Sequence, residues 1–193
     1  MCFKFFKKIN FKITYFFKIF IKKNIIIDPA LAFGSGHHET TSSCLLAIDE
    51  FVKKGDSLLD VGTGAGFPAL VLAIAKPDLQ VDLLDSNSKK TRFLVQMVAE
   101  LGLKNVRVHH ARVEQANLPP QAQIVSRAFS SLADFSQWCR HLMSEDGILL
   151  AMKGQYPQAE IDALPTDMHL LTSIPLQVPF LDEARHLLVL GRA

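Results

Sequence analysis

The feature that most constrains this chain is an apolar run that leads directly into a glycine-rich turn. The run spans Leu58 to Val61, and the turn is Gly62-Thr63-Gly64-Ala65-Gly66. Glycine allows the left-handed backbone conformations that tight turns need, and it lets the backbone approach a ligand closely. A helix-forming stretch covers residues 68–76. We therefore predict a buried strand, a glycine turn and a helix, which is the unit of a parallel α/β sheet.

The rest of the chain alternates short apolar runs with amphipathic helical patterns. We predict strands at residues 57–61, 81–84, 106–109, 124–126, 147–152, 170–174 and 186–190, and helices at 68–76, 88–101 and 132–142. Ser88 is the expected N-cap of the second helix, and Gly102 is its expected stop. The alternation predicts an α/β, Rossmann-like fold in which a mostly parallel seven-stranded sheet carries helices on both faces.

Length and cysteine content limit the organisation of the chain. The 193 residues suffice for one domain with a sizeable core, which we place at residues 28–193. The three cysteines are too scattered to indicate a zinc site or a disulfide framework. These features favour a reducing, cytoplasmic location.

Residues 1–27 form a separate basic aromatic segment. They contain seven lysines and no acidic residue, whereas the remainder of the chain carries more acidic than basic side chains. Lysines interrupt every apolar run well short of the ~20 residues of a membrane span, so we expect no stable membrane association. Three roles stay open for the segment: a surface that contacts RNA, a segment that lies on a membrane surface, or no role of its own.

Acidic residues beside the glycine turn indicate which ligand binds there. The third glycine of the dinucleotide fingerprint would fall at Phe67, and Asp60 stands two residues before the first glycine. A carboxylate there would repel a pyrophosphate but attract the sulfonium and ammonium groups of S-adenosylmethionine. Asp85 ends the second predicted strand, where an acidic residue can accept hydrogen bonds from ribose hydroxyls. We therefore predict Asp60, Gly62, Gly64 and Asp85 as cofactor-binding residues of a class I S-adenosylmethionine-dependent methyltransferase.

From Leu58 onward the chain resembles the small-subunit ribosomal RNA methyltransferase G family, also called glucose-inhibited division protein B. The Ser-Arg-Ala-Phe segment at 126–129 and the Lys-Gly-Gln segment at 153–155 are the most specific. Further matching segments lie at residues 59–68, 83–86, 90–94, 111–114 and 183–187. The resemblance covers about 70% of the chain, counted as residues 58–193 of 193.

This resemblance implies a cytoplasmic enzyme that transfers a methyl group from S-adenosylmethionine to N7 of a guanine, guanine 527, in 16S ribosomal RNA. Carried over by motif, cofactor contacts fall on Gly62, Phe67, Val113, Glu114 and Arg127. Guanine N7 carries a lone pair and no proton, so its attack on the methyl group needs orientation and no general base. The expected partner of this monomer is the small ribosomal subunit.

Basic residues near the predicted carboxyl edge of the sheet are candidates for RNA binding. We assign Arg112, Lys153 and Arg185 to the RNA substrate, and Arg127 and Lys153 to catalysis. Phe129 is expected in the core, with stacking on a base as the alternative.

No metal site is predicted, and the chain's single tryptophan, Trp138, is assigned to the core. The adjacent pairs His37-His38 and His109-His110 would point to opposite faces of a strand, which disfavours shared coordination.

Residues 27–56 resemble a different family, the ribosomal protein L11 methyltransferases, through a motif at residues 27–41. We interpret the chain as a fusion of two methyltransferases with its seam near residues 58–62, where both families share an Asp-x-Gly-x-Gly loop. Two alternatives therefore stand beside the ribosomal RNA enzyme: a lysine methyltransferase acting on protein L11, and an inactive chimera that binds the cofactor without turnover. Ser126-Arg127-Ala128-Phe129 stands where the L11 family has an Asn-Pro-Pro-Tyr-like segment, which favours RNA.

Overall fold

The computed structural model describes residues 45, 47–127, 129, 131–176 and 184–193. The basic aromatic segment 1–27 and residues 28–44 therefore lie outside the described residues, as does the proposed boundary between them. Within the described part of the chain, no helix is both long and apolar enough to cross a membrane.

Seven strands form one sheet, and six of them run in the same direction. The strands are β1 (Ser57–Val61), β2 (Gln80–Asp85), β3 (Val106–His110), β4 (Gln121–Ser126), β5 (Met143–Lys153), β6 (Met168–Pro175) and β7 (His186–Arg192). Their order is β3-β2-β1-β4-β5-β7-β6, and β7 runs antiparallel to both of its neighbours. Lys153 at the end of β5 pairs with His186 at the start of β7, so both lie at the carboxyl edge of the parallel strands.

Helices cover both faces of the sheet, as the alternating sequence pattern predicts. The described helices include α1 (Ala69–Ala75), α2 (Ser88–Glu100), α3 (Leu132–Cys139) and α4 (Gln158–Asp162). On one face, α1 and Leu94 of α2 pack against Leu58 and Leu83. On the other face, Phe135 of α3 packs with Leu59 and Leu84. The predicted seven-stranded, mostly parallel α/β fold is confirmed.

The start of α2 differs by one residue from the predicted cap. Asn87, and not Ser88, is the N-cap: its side-chain oxygen accepts hydrogen bonds from the backbone N–H groups of Lys89 (2.9 Å) and Lys90 (3.4 Å). An asparagine at this position satisfies N–H groups that have no partner within the helix. The predicted stop is confirmed, because Gly102 follows the helix with φ +64°.

Candidate cofactor site

A pocket of about 290 Å³ opens where β1, β2 and β3 end. Open α/β sheets bind ligands at this carboxyl edge, because the strands end there and the loops that follow them are free to vary. The lining residues come from five separate stretches of the chain: Val61, Gly62, Leu84, Asp85, Ser86, Ala111, Arg112, Val113, Glu114, Phe129 and Trp138.

The glycine turn forms one side of this pocket. Gly62 and Gly64 have φ values of +69° and +63°, in the left-handed region that favours glycine. The Gly62 N–H donates to the carbonyl of Leu84 at 2.9 Å, which holds the turn against the end of β2. A Cβ atom at Gly66 would lie 3.0 Å from Cδ2 of Leu94. The third glycine therefore lets α2 pack closely against the turn.

Asp85 is fixed at the end of β2 by two backbone groups. Its Oδ2 accepts a hydrogen bond from the Gly64 N–H at 3.0 Å, and its Oδ1 accepts one from the Asn87 N–H at 2.8 Å. Lys90 Nζ lies 3.7 Å from Oδ2. The side chain is almost fully buried, and a carboxylate oxygen can accept more than one hydrogen bond. Asp85 is thus a preoriented carboxylate with remaining acceptor capacity on the pocket wall.

Asp60 lies behind the turn and is 1% exposed. Contrary to our expectation, it does not line the pocket. Its Oδ2 accepts a hydrogen bond from the Thr63 hydroxyl at 2.8 Å. Burial raises the pKa of this carboxyl to about 7, although Thr63, the positive charge of Arg127 and the Ala69 backbone each lower it. Asp60 is therefore a buried carboxyl group behind the glycine turn, linked to it through Thr63.

Two side chains of opposite charge, Arg112 and Glu114, line the part of the pocket that follows β3. Arg112 precedes a single 3-10 turn at Val113–Gln115, in which Val113 is buried and Glu114 is exposed. The Val113 side chain packs with Leu84 in the core, so this turn is anchored while its two charged neighbours line the opening.

Two aromatic side chains, Phe129 and Trp138, close another side, and we had expected both in the core. The Phe129 ring centroid lies 5.6 Å from that of Trp138, edge to face, and 5.0 Å from that of buried Phe135. Trp138 is 37% exposed. The core prediction for Trp138 was wrong, because its side chain lies at the edge of the buried face of this helix, beside Phe129, and stays partly open to solvent.

The pocket brings together five of the predicted site residues, namely Gly62, Asp85, Val113, Glu114 and Arg112. Gly64 contributes through its hydrogen bond to Asp85. Phe67 is half-buried and packs against the core on the other face of the sheet. Arg127 is exposed after β4, close enough to Asp60 to affect its charge.

Lys153 and Arg185 lie farther along the same edge of the sheet, outside the pocket lining. Lys153 Nζ pairs with Glu160 Oε2 at 2.7 Å, and its side chain is only 13% exposed. The RNA contact and the catalytic role of Lys153 stay predictions. Arg185 is half-buried at the start of β7 and donates to the carbonyl of Ala184.

Among the described residues, no group of three or more His, Cys, Asp or Glu side chains is arranged to hold a metal ion. His109 Nε2 is hydrogen-bonded to Asp82, and His110 Nε2 to the carbonyl of Ser86. His37 and His38 lie outside the described residues.

Solved structures confirm the fold. TrmN from Thermus thermophilus matches with a TM-score of 0.68 at 20% identity, over 86% of this chain and 52% of that one. A SAM-dependent methyltransferase from Aquifex aeolicus matches with a TM-score of 0.65 at 18% identity, over 86% of this chain and 100% of that one. The fold is that of the Rossmann-like class I S-adenosylmethionine-dependent methyltransferases.

Sequence comparison gives the family. The family model of rRNA small subunit methyltransferase G, GidB, matches residues 39–188, and the chain belongs to this family. A relative of that name from Neisseria meningitidis serogroup C is 47% identical over 156 residues, which are 81% of this chain and 74% of the relative. Another relative of that name, from Marinobacter nauticus, is 52% identical over 139 residues, which are 72% of this chain and 65% of the relative. The protein is an S-adenosylmethionine-dependent ribosomal RNA methyltransferase.

The match also corrects the position of the proposed seam. It begins at residue 39, upstream of the seam that we placed at residues 58–62, so both sides of that seam belong to one family. The short resemblance to L11 methyltransferases falls largely on residues outside the described part of the chain.

Proposed function

We propose that this chain methylates N7 of a guanine in 16S ribosomal RNA, at the position equivalent to guanine 527. The observation that carries the proposal is the pocket itself. It sets the fixed carboxylate of Asp85 beside a glycine turn and places Arg112 at its opening, on a fold whose family modifies small-subunit rRNA.

The lining residues fit S-adenosylmethionine by their chemistry. Asp85 would accept hydrogen bonds from the two ribose hydroxyls, one on each carboxylate oxygen. The apolar side chains of Leu84 and Val113 offer a surface for the adenine ring, beside Glu114. Gly62 would allow the methionine part to approach the backbone, while Asp60 below the turn supplies negative charge toward the sulfonium and ammonium groups.

Phe67 and Gly64 would act on the cofactor less directly. Gly64 holds Asp85 through its N–H. Phe67 packs behind the turn against the core and would fix the turn in place.

Methyl transfer to N7 requires little of the protein beyond alignment. A carbon–nitrogen bond forms as the carbon–sulfur bond breaks, and the sulfur keeps the electron pair. N7 carries no proton, so none has to be removed, and the positive charge passes from the sulfonium to the purine. The carboxylates of Asp85 and Glu114 lie in this pocket and would favour the cationic product electrostatically. Holding nucleophile, methyl and sulfur in line is the main task of the site.

For the RNA we propose contacts from Arg112, Arg127 and Arg185. Arg112 lines the pocket opening and Arg127 is exposed at the end of β4, so a guanine entering the pocket would pass between guanidinium groups that can bind its phosphates. Arg127 would also act in catalysis by lying close to the reacting charges. We further propose that the protein acts as a cytoplasmic monomer on the small ribosomal subunit.

The test supplies S-adenosylmethionine labelled in its methyl group to the purified protein, with under-methylated 30S subunits, free 16S rRNA or ribosomal protein L11. We expect label in RNA that elutes as 7-methylguanosine after digestion to nucleosides. Label in a different nucleoside would overturn the N7 assignment, and label in L11 would restore the protein-methyltransferase alternative. Cofactor binding without transfer to any of these substrates would support the inactive chimera.

A further inference from the structure

The aromatic wall of the pocket, formed by Phe129 and Trp138, is tied to a carboxylate that lies outside the pocket. Glu160, on α4, accepts two hydrogen bonds on the same oxygen, Oε2. One comes from the Lys153 ammonium at 2.7 Å, and the other from the Leu132 backbone N–H at 2.8 Å. Leu132 is the first residue of α3, the helix that carries Trp138. The carboxylate thus connects the end of β5 to the start of the helix that forms the wall.

Lys153 extends this connection to the other aromatic residue of the wall. Its Nζ also lies 3.5 Å from the carbonyl oxygen of Phe129. The Lys153 side chain is 13% exposed and that of Glu160 is 31% exposed, so the pair is only partly hydrated. Hydrogen bonds between charged groups are stronger and more directional than neutral ones, and partial burial reduces their screening by water.

Little else that is described holds α4 in place. It has only five residues and none of them is buried, although Ile161 packs against the core. The hydrophobic cores on the two faces of the sheet are built from other elements. Loss of the Glu160 charge should therefore change the wall of the pocket more than it changes the stability of the fold.

We propose that Glu160 is a positioning residue of the cofactor site. Through Lys153 and Leu132 it holds Phe129 and Trp138 in the arrangement that binds the cofactor. The proposal rests on the assignment of this pocket to S-adenosylmethionine, but not on which RNA atom is methylated. It also gives Lys153 a task in addition to the direct RNA contact that the sequence predicted.

The test compares Glu160→Gln with Asp162→Asn in the full chain. The first substitution keeps the size of the side chain and an oxygen that can accept from Leu132, but it removes the ionic bond to Lys153. Asp162 is a matched control on the same helix, because its Oδ1 accepts an exposed hydrogen bond from Gln158 at 2.7 Å. The ligand is S-adenosylhomocysteine, which reports binding without turnover.

Trp138 provides the spectroscopic readout, since it is the single tryptophan of the chain. In E160Q we expect the emission of the ligand-free protein to move to longer wavelength, because a loosened wall gives the indole more water. We also expect about tenfold weaker binding of S-adenosylhomocysteine, the loss typical of a charged hydrogen bond. The midpoint of urea unfolding should stay close to that of D162N, whose affinity and emission should match the wild type.

Two outcomes would overturn the proposal in distinguishable ways. If E160Q bound the ligand like the wild type with unchanged emission, Glu160 would have no positioning role. If the emission of wild-type Trp138 did not respond to saturating S-adenosylhomocysteine, the assignment of the pocket to the cofactor would itself fail. A loss of affinity that merely followed an equal loss of stability in E160Q would also count against the proposal, because it would show a general structural role instead.

Discussion

Asp85 is the residue whose contribution to cofactor binding can be measured most directly. Asp85→Ala should weaken S-adenosylhomocysteine binding by about 1.5–3 kcal/mol, the value of hydrogen bonds to a charged group. Isothermal titration calorimetry gives this number. Asp78→Ala is the control, since Asp78 is an exposed carboxylate that lies outside the pocket lining. Equal affinities for wild type and D85A would contradict the ribose assignment.

The raised pKa of Asp60 predicts that cofactor affinity depends on pH. A cationic ligand favours the ionised carboxylate, so below a pKa of about 7 binding has to displace a proton. Affinity for S-adenosylmethionine should fall as the pH drops from about 8 to about 6, by at most about tenfold per pH unit. Asp60→Asn should remove this dependence, which equilibrium dialysis at several pH values would detect. A wild-type affinity that does not vary with pH would contradict the coupling.

The same shift in the pKa of Asp60 affects the stability of the protein without ligand. The folded state holds the Asp60 proton up to about pH 7, whereas the unfolded chain releases it near the ordinary pKa of 3.8. The contribution of Asp60 to stability is therefore complete below about pH 4 and is lost as the pH rises toward 7.

At the residue scale, motif and position placed Asp85 and Gly62 correctly beside a pocket, because each lies at the end of a strand; their cofactor contacts stay predictions. Asp60 lies outside the lining of that pocket, because neighbouring residues of a strand point to opposite faces and Val61 faces the pocket. Trp138 could not have been located from sequence. Its exposure depends on how α3 sits against the sheet, and a helical pattern does not specify that placement.

At the scale of single elements, the cap of α2 makes a sharp prediction. Asn87→Ala should lower the free energy of unfolding by about 1 kcal/mol, because the N–H groups of Lys89 and Lys90 lose their acceptor. Ser88→Ala is the matched control and should cost clearly less. Urea denaturation of the two variants measures the difference. A larger loss of stability in Ser88→Ala than in Asn87→Ala would indicate that Ser88 is the N-cap.

Element boundaries followed the sequence wherever apolar residues marked them. β1 was predicted without error, and α2 ends one residue earlier than expected. β4 begins earlier than predicted because Gln121 and Gln123 are buried in the sheet, where Gln123 donates to Phe51 and Asp56. Apolar periodicity cannot detect a buried amide whose partners come from elsewhere in the fold. For the same reason α4, which has no buried residue, left no signal.

For the whole molecule, an ionic cluster around one buried carboxylate links separate strands and should influence stability at acidic pH. Asp82 is fully buried and accepts hydrogen bonds from Arg107 at 2.9 and 2.8 Å, and His109 lies at 2.6 Å. Gln121 of β4 reaches the same carboxylate at 3.4 Å. Burial alone would raise the pKa of Asp82, but the bonds to His109 and Arg107 outweigh it and hold the pKa below its usual range.

Asp82→Asn should therefore lower the free energy of unfolding at pH 7 by about 1–3 kcal/mol. Because the pKa is depressed in the folded state, this contribution is present above the ordinary pKa of 3.8 and is lost as the pH falls through the folded-state pKa. The difference in the free energy of unfolding between variant and wild type should therefore become smaller at acidic pH. Chemical denaturation at several pH values tests this. Asp78→Asn serves as control, since its pair with Lys54 is exposed and contributes little.

The topology was predictable in outline, since alternating strands and helices require a mostly parallel sheet. The position of β7 was not, because His186–Arg192 reads only as another apolar run. Its insertion between β5 and β6 is decided by pairing on both edges, with five register partners to β5 and seven to β6. Such long-range pairing leaves no local mark in the sequence.

This insertion has a consequence for synthesis on the ribosome. β6 precedes β7 in the chain, yet β7 alone joins it to the sheet. Until residues 186–192 have emerged from the exit tunnel, the edges of β5 and β6 are both unpaired, and Leu149 and Leu150 lack their native cover. Exposed strand edges with apolar faces are prone to associate with other chains. The nascent protein is therefore prone to aggregation until residues 186–192 can pair with β5 and β6.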